Sequence, residues 1–178
     1  LICNSAIGQG RSIVELVEEF LEVSCISVGK FSLNQEEFDL AGLVYQVVGQ
    51  FTGAFATAQC LVEIIAPVPV VGTWDRIHLE QVLTHLLSNA MTYGTGKPIV
   101  VKLDQMRDTA ILSVQDHGIG IAPEDQVRIF DRFERAVSPF SYGGLGVGLY
   151  IAREIVKSHG GSIQVQSALR EGTIFTVV

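Results

Sequence analysis

The sequence predicts an α/β (α+β) two-layer sandwich: one mixed, mainly antiparallel sheet with helices on one face, preceded by part of a further helix. Three observations predict it. After residue 38 the periodicities run α, β, β, α, β, β, then a short helix, a loose lid and a helix, then β, β; this order is too mixed for an all-α or all-β fold and lacks regular βαβ alternation. Two glycine clusters, Asp116-His117-Gly118-Ile119-Gly120 and Gly143-Gly144-Leu145-Gly146-Val147-Gly148, flank a segment without clear periodicity. The composition, 48% hydrophobic and 17% charged over 178 residues, suffices for one domain-sized core with an appendage.

The elements follow in order. Residues 11–28 repeat Ile13, Leu16, Val17, Phe20 and Ser24 at helical spacing, and Gly29-Lys30 ends that pattern. Residues 31–38 read as a connector with room for a short strand. Asp39 reads as an N-cap with Phe38 and Leu43 as a hydrophobic staple, opening a helix that turns Leu40, Leu43, Val44, Val47, Phe51 and Phe55 inward. Leu61–Ile65 and Val70–Thr73 read as short strands around Pro67-Val68-Pro69. From about Asp75 to Tyr93 the stripe Leu79, Val82, Leu83, Leu86, Leu87, Ala90 fits the helical period. Beside it His78, Gln81, His85, Asn89 and Thr92 form a polar row along one edge. Ile99, Val101 and Leu103, then Ala110, Leu112 and Val114, alternate as two strands joined at Arg107-Asp108. A helical stretch is expected near Glu124–Phe133. Leu145, Gly148, Leu149, Ala152, Ile155 and Val156 form the stripe of a last helix, and the hairpin Ser162–Ser167 with Gly172–Val178 closes the chain.

Charge and cysteine usage exclude some classes. A net charge of −7 disfavours a nucleic-acid partner, which needs clustered Lys and Arg. An anionic nucleotide would then need local cations, Mg2+ or backbone N–H groups. Cys3, Cys25 and Cys60 show no CxxC spacing, which fits buried thiols in a reducing compartment. No apolar run reaches the roughly 18–20 residues of a membrane span, and no signal peptide is visible. Leu1 falls inside a helical pattern, so the chain reads as a cytoplasmic fragment of a longer protein, whose membrane anchor, if it has one, lies elsewhere.

A glycine-rich turn feeding a helix N-terminus suits phosphate, and a carboxylate at a strand tip can read a hydrogen-bond donor. These features point to a nucleotide pocket under a lid. From about residue 13 onward the chain resembles the catalytic, ATP-binding part of sensor histidine kinases, with the Bergerat-type fold. Asp75-Arg76-Ile77-His78-Leu79-Glu80-Gln81-Val82-Leu83 through Asn89-Ala90 resembles the family's asparagine box. Asp116–Gly120 resembles its first glycine box, Ile129-Phe130-Asp131-Arg132-Phe133 its phenylalanine box, and Gly144–Leu149 its second glycine box. Gly172-Thr173-Ile174-Phe175 resembles its last, short box. Each motif alone is weak; the ordered set is strong.

The resemblance implies residues 1–30 as the end of a dimerisation and phosphotransfer helix and residues 31–178 as the catalytic domain. None of His78, His85, His117 and His159 has the flanking Glu and Pro of a phosphoacceptor, so the acceptor histidine is expected outside the chain. The implied partners are ATP, the protein's own dimerisation domain and a response regulator, within a homodimer.

The resemblance also assigns roles. Asn89 would bind Mg2+ through its amide oxygen; an exposed helix Asn hydrated by water is the competing reading. Asp116 would accept from the adenine amino group, where a guanine carbonyl would face another acceptor; a strand-ending turn cap competes. Gly118 and Gly120 would let the backbone pass close to the base, or simply form a tight turn. Gly144, Leu145, Gly146, Val147 and Gly148 would bring backbone N–H groups to the phosphates, with close helix packing as a second role for Gly148. Thr173 would help fix the adenine edge, and Tyr93 would stack on the base or cover the core at a helix end. Phe130 and Phe133 would anchor the lid by burying their rings. Arg132 and Arg135 would reach the γ-phosphate, or stay solvated. His85 stands where the family often has Asn, and can donate a hydrogen bond or touch Mg2+ through water. Thr92 stands where it often has Lys, with Lys97 as a substitute cation. Related ATPases carry a Glu near His85 to activate water, so its absence disfavours a simple hydrolase. A degenerate nucleotide-binding module and an ATPase of the same superfamily are the alternative readings.

Overall fold

The computed structural model describes residues 21, 23, 24, 32–134 and 145–178. The expected helix over 11–28 lies almost wholly outside the described residues; residues 21, 23 and 24 are helical. The elements are β1 (Glu36–Asp39), α1 (Leu40–Gln50), α2 (Thr52–Ala58), β2 (Val62–Ile65), β3 (Val71–Trp74), α3 (Arg76–Tyr93) and β4 (Ile99–Met106). Then come β5 (Thr109–Asp116), α4 (Pro123–Gln126), α5 (Gly148–Ser158), β6 (Ile163–Ala168) and β7 (Gly172–Val177). Five strands form one sheet in the order β2-β4-β5-β7-β6. Only β2 and β4 run parallel; the other pairs are antiparallel.

The helices α1, α3 and α5 contribute one contiguous core with the sheet. Alternation along β4 turns Ile99, Val101 and Leu103 into it, and α3 meets them with Val82, Leu83, Leu86 and Leu87, all at most 1% exposed. The central helix packs against α1, α5 and β5. Each fully buried Leu contributes about 1.5–3 kcal/mol of apolar transfer free energy. At the N-terminus of α3, Asp75 caps the helix by accepting from the His78 amide at 3.1 Å, and its other oxygen accepts from the Asn34 amide at 2.7 Å.

Four local expectations are corrected. The helix expected through Phe55 breaks at Phe51, because the Thr52 hydroxyl takes the Gly49 carbonyl at 2.8 Å and so competes with the helical ladder. The strand at Val71–Trp74 does not join the main sheet. It pairs antiparallel with β1 as a separate two-stranded ribbon, since Pro67 and Pro69 lead the chain off the sheet edge. Of the helix expected near Glu124–Phe133 only the first turn forms, as α4 (Pro123–Gln126); turns follow to Phe133, whose backbone is left-handed at φ 63. Leu145 precedes α5 and is exposed, so the buried face is Ile151, Ala152, Ile155 and Val156 with Tyr150.

Candidate nucleotide site

The site is built along one edge of α3, from its C-terminal end backwards. At that end β5 delivers Asp116, 5% exposed, whose Oδ1 accepts from the Gly118 amide at 2.7 Å. Burial pushes the Asp116 carboxyl above its usual range, opposed by backbone hydrogen bonds from Gly118 and Thr173 and by the charges of His117 and Lys97. The loop after Asp116 is held against the end of α3, because the Ile119 amide donates to the Tyr93 carbonyl at 3.2 Å. A Cβ at Gly118 would collide with that same carbonyl, so only glycine fits this approach. Gly120 has φ +70 and lies against the Ala168 carbonyl, which ties the loop to the β6–β7 hairpin.

Thr173 pairs with Asp116 across β5 and β7 and is 5% exposed. Its Oγ1 lies 3.0 Å from Ser167 Oγ. Ser167 Oγ donates to the Gly172 carbonyl at 2.7 Å and accepts from the Ile121 amide at 2.8 Å. Its one hydroxyl proton is therefore spent, and Thr173 is the donor of the shared bond. Ser167 thus fastens the loop, the hairpin and Thr173 together. No motif pointed to Ser167; its alternation on β6 was the one available signal.

One turn back from Tyr93 along the same edge sits Asn89, half-buried, with no hydrogen bond from its side chain among the described residues. A further turn back, His85 abuts the start of α5, where a Cβ on Gly148 would lie 2.8 Å from His85 Nδ1. The residue keeps one partly exposed edge, yet Nε2 is enclosed and unpartnered among the described residues. Burial lowers the His85 pKa to about 4, so the ring is neutral at pH 7. Thr92 donates its hydroxyl to the Ser88 carbonyl at 2.7 Å and so brings neither a cation nor a free donor. Lys97 lies close enough to act on the charge of Asp116, at the Tyr93 end of the row.

Leu145, Gly146, Val147 and Gly148 lead into α5; Gly144 lies outside the described residues. Among the described residues no side chain caps α5, and uncapped first-turn N–H groups suit an anion. The Gly146 carbonyl accepts from the Phe133 amide at 3.1 Å, which joins the phenylalanine motif to this turn. Phe130 is buried and meets Phe175 edge-on at 6.2 Å between ring centroids. Phe133 is 58% exposed, so only one of the two rings expected to anchor this segment does so. Arg132 donates to the Tyr150 hydroxyl at 2.7 Å and lies over that ring at 4.7 Å. Arg135 lies outside the described residues.

The geometry therefore brings Asp116, Gly118, Gly120, Thr173 and Tyr93 to one end of the α3 edge, Asn89 to its middle, and His85 with Gly146–Gly148 to the other. His85 and Tyr93 are separated by about 12 Å along the helix.

Residues 74–178 match the family of histidine kinase-, DNA gyrase B-, and HSP90-like ATPases. The chain is 32% identical over 174 residues to the circadian input-output histidine kinase CikA of Synechococcus elongatus, covering 94% of this chain and 23% of that protein. It is 32% identical to the sensor protein SrrB of Staphylococcus aureus, covering 96% of this chain and 30% of that protein. The chain thus spans under a third of these relatives. Among solved structures, the Acinetobacter baumannii histidine kinase AdeS superposes with a TM-score of 0.81 at 28% identity, over 98% of this chain and 81% of that one. Full-length ShkA in complex with AMPPNP superposes at 0.84 and 23% identity, over 96% and 36%, which shows the shared fold. The chain belongs to the histidine kinase-, DNA gyrase B- and HSP90-like ATPase family, and its mixed α/β fold is that of histidine kinase catalytic, ATP-binding domains.

Proposed function

We propose that this domain binds Mg-ATP along the α3 edge and presents the γ-phosphoryl group to a histidine outside the chain. That histidine would lie on the first helix of the dimerisation hairpin whose end residues 1–30 form, in a homodimer that passes the phosphoryl group to a response regulator. The observation that carries the reading is the order along α3: a buried carboxylate at one end, an unengaged amide in the middle and an uncapped helix N-terminus at the other.

Asp116 accepts from the adenine amino group, and its enclosure makes a guanine carbonyl a poor substitute. Gly118 opens the approach to the base. Asn89 fits a divalent cation because a neutral oxygen beside phosphates suits a hard ion. A divalent cation held there by Asn89 would supply charge neutralisation to the phosphates. The N–H groups of Gly146–Gly148 and the first turn of α5 receive the phosphates. His85, neutral and packed on Gly148, fixes the distance between α3 and that turn. The domain's contribution to transfer is position and electrostatic stabilisation of a loose transition state.

Two measurements test this. Calorimetry should show magnesium-dependent binding of ATP and much weaker binding of GTP. Labelled ATP should phosphorylate a separately supplied dimerisation hairpin in trans. Tight ATP binding without label on the hairpin would instead identify a binding module, and steady phosphate release by the chain alone would identify an ATPase.

A further inference from the structure

At the end of the helix–sheet interface remote from Asp116 and Gly148 lies a cavity of about 490 Å3. Three layers wall it. Leu79 and Val82 come from the first turns of α3, Val156 from the last turns of α5, Ala110 and Leu112 from β5, and Trp74 from the ribbon. Such a volume lies within the roughly 300–1,000 Å3 of small-molecule sites, which combine apolar walls with a few convergent polar groups. Here the polar groups are Asp108 and Thr109 at the β4–β5 turn, Ser162 and His159. His159 has nothing left to offer a ligand: Nε2 accepts from the Asp75 amide at 3.0 Å and Nδ1 faces the Ile155 carbonyl at 2.8 Å. Asp108 is the one charged side chain among the described lining residues, and it forms no ion pair among the described residues.

We propose that this cavity is a second small-molecule site, and that its ligand is a small organic amine with an apolar body. The body replaces water against Leu79, Val82, Leu112 and Val156. The ammonium group meets Asp108 at the mouth, with the Thr109 and Ser162 hydroxyls as further acceptors. An anionic ligand would meet Asp108 head-on within a domain of net charge −7. The site is separate from the nucleotide cleft: Leu79 and Val82 belong to the apolar stripe of α3 whereas His85 and Asn89 lie on its polar edge, and Leu79 precedes His85 by about 9 Å of helix. The inference does not depend on the nucleotide reading.

Trp74 is the chain's one tryptophan and lines the cavity, so its fluorescence reports occupancy. The test titrates the chain with 4-phenylbutylamine and, for comparison, neutral 4-phenylbutanol, with and without Mg-ATP. A saturable fluorescence change is expected, with the amine binding about 3–10-fold more tightly than the alcohol. Asp108→Asn should abolish that preference, Ala110→Phe should abolish binding of both, and Mg-ATP should displace neither. Asp108→Asn lies on an exposed turn and keeps the test decisive if Ala110→Phe does not fold. No saturable change, equal affinity of amine and alcohol for the unmodified chain, a preference that survives Asp108→Asn, or competition with Mg-ATP would each overturn the proposal.

Discussion

At the scale of single residues, two groups with opposed protonation behaviour stand at the two ends of the α3 edge. Asp116→Ala removes the acceptor proposed for the adenine amino group and should weaken ATP binding about 10–100-fold by calorimetry, with an unchanged circular dichroism spectrum. Asn89→Asp puts a negative charge at the position proposed to lie beside the phosphates and should weaken Mg-ATP binding comparably. Unchanged affinity in either variant would remove that residue from the site. Asp116→Asn is a finer probe. Its amide can donate as well as accept, so the preference for ATP over GTP should narrow.

His85 carries a pH signature of definite sign. Its folded pKa, about 4, lies below the ordinary 6.5, so between those values the unfolded chain binds the extra proton. The stability associated with the neutral ring is complete above pH 6.5, falls as pH drops toward 4, and changes no further below it. The full effect is at most about 3 kcal/mol. Denaturant titrations at pH 7 and pH 5 should show His85→Asn losing less stability on acidification than the unmodified chain. An identical loss in both would mean that the buried ring is not the source. Asp116 works the other way, since its raised folded pKa favours the protonated carboxyl at low pH and costs stability as pH rises through it.

At the scale of elements, the joints matter more than the helices and strands themselves. Asp39 Oδ1 accepts from Ala41 of α1 at 3.0 Å and from Val70, ahead of β3, at 2.9 Å. One side chain therefore caps α1 and closes the ribbon. Asp39→Ala should cost about 1–2 kcal/mol in chemical denaturation, more than a simple cap, because two amides lose an acceptor. Leu86, with no exposed surface, fills the α3 side of the core; Leu86→Ala should cost about 2–5 kcal/mol. A loss below 1 kcal/mol would show that the core can collapse around that position. The helical stripe of α3 was legible because eighteen residues sample five turns of one period. The break at Phe51 was not, because a hydroxyl taking a carbonyl leaves the apolar pattern intact.

At the scale of the whole molecule, the proposed nucleotide site joins α3, the β5 tip and the start of α5, so its occupancy should stabilise them as a unit. Mg-ATP at a hundred times its dissociation constant should add about 2.7 kcal/mol to unfolding, and GTP at the same concentration much less. Equal stabilisation by both nucleotides would refute the role given to Asp116.

The sequence by itself determined the type of nearly every element and the order of the motifs, because periodicity, capping residues and glycine turns act within a few residues of one another. Asp75, Asn89, Asp116 and Gly148 could all be picked out in this way. Only the tertiary structure decided which strands share a sheet, that Ser167 fastens the Asp116 loop, that Arg132 is held by Tyr150, and that Asp116 and Gly148 meet opposite ends of one helix edge. Those outcomes depend on which distant segments exclude water together, and no local pattern encodes that.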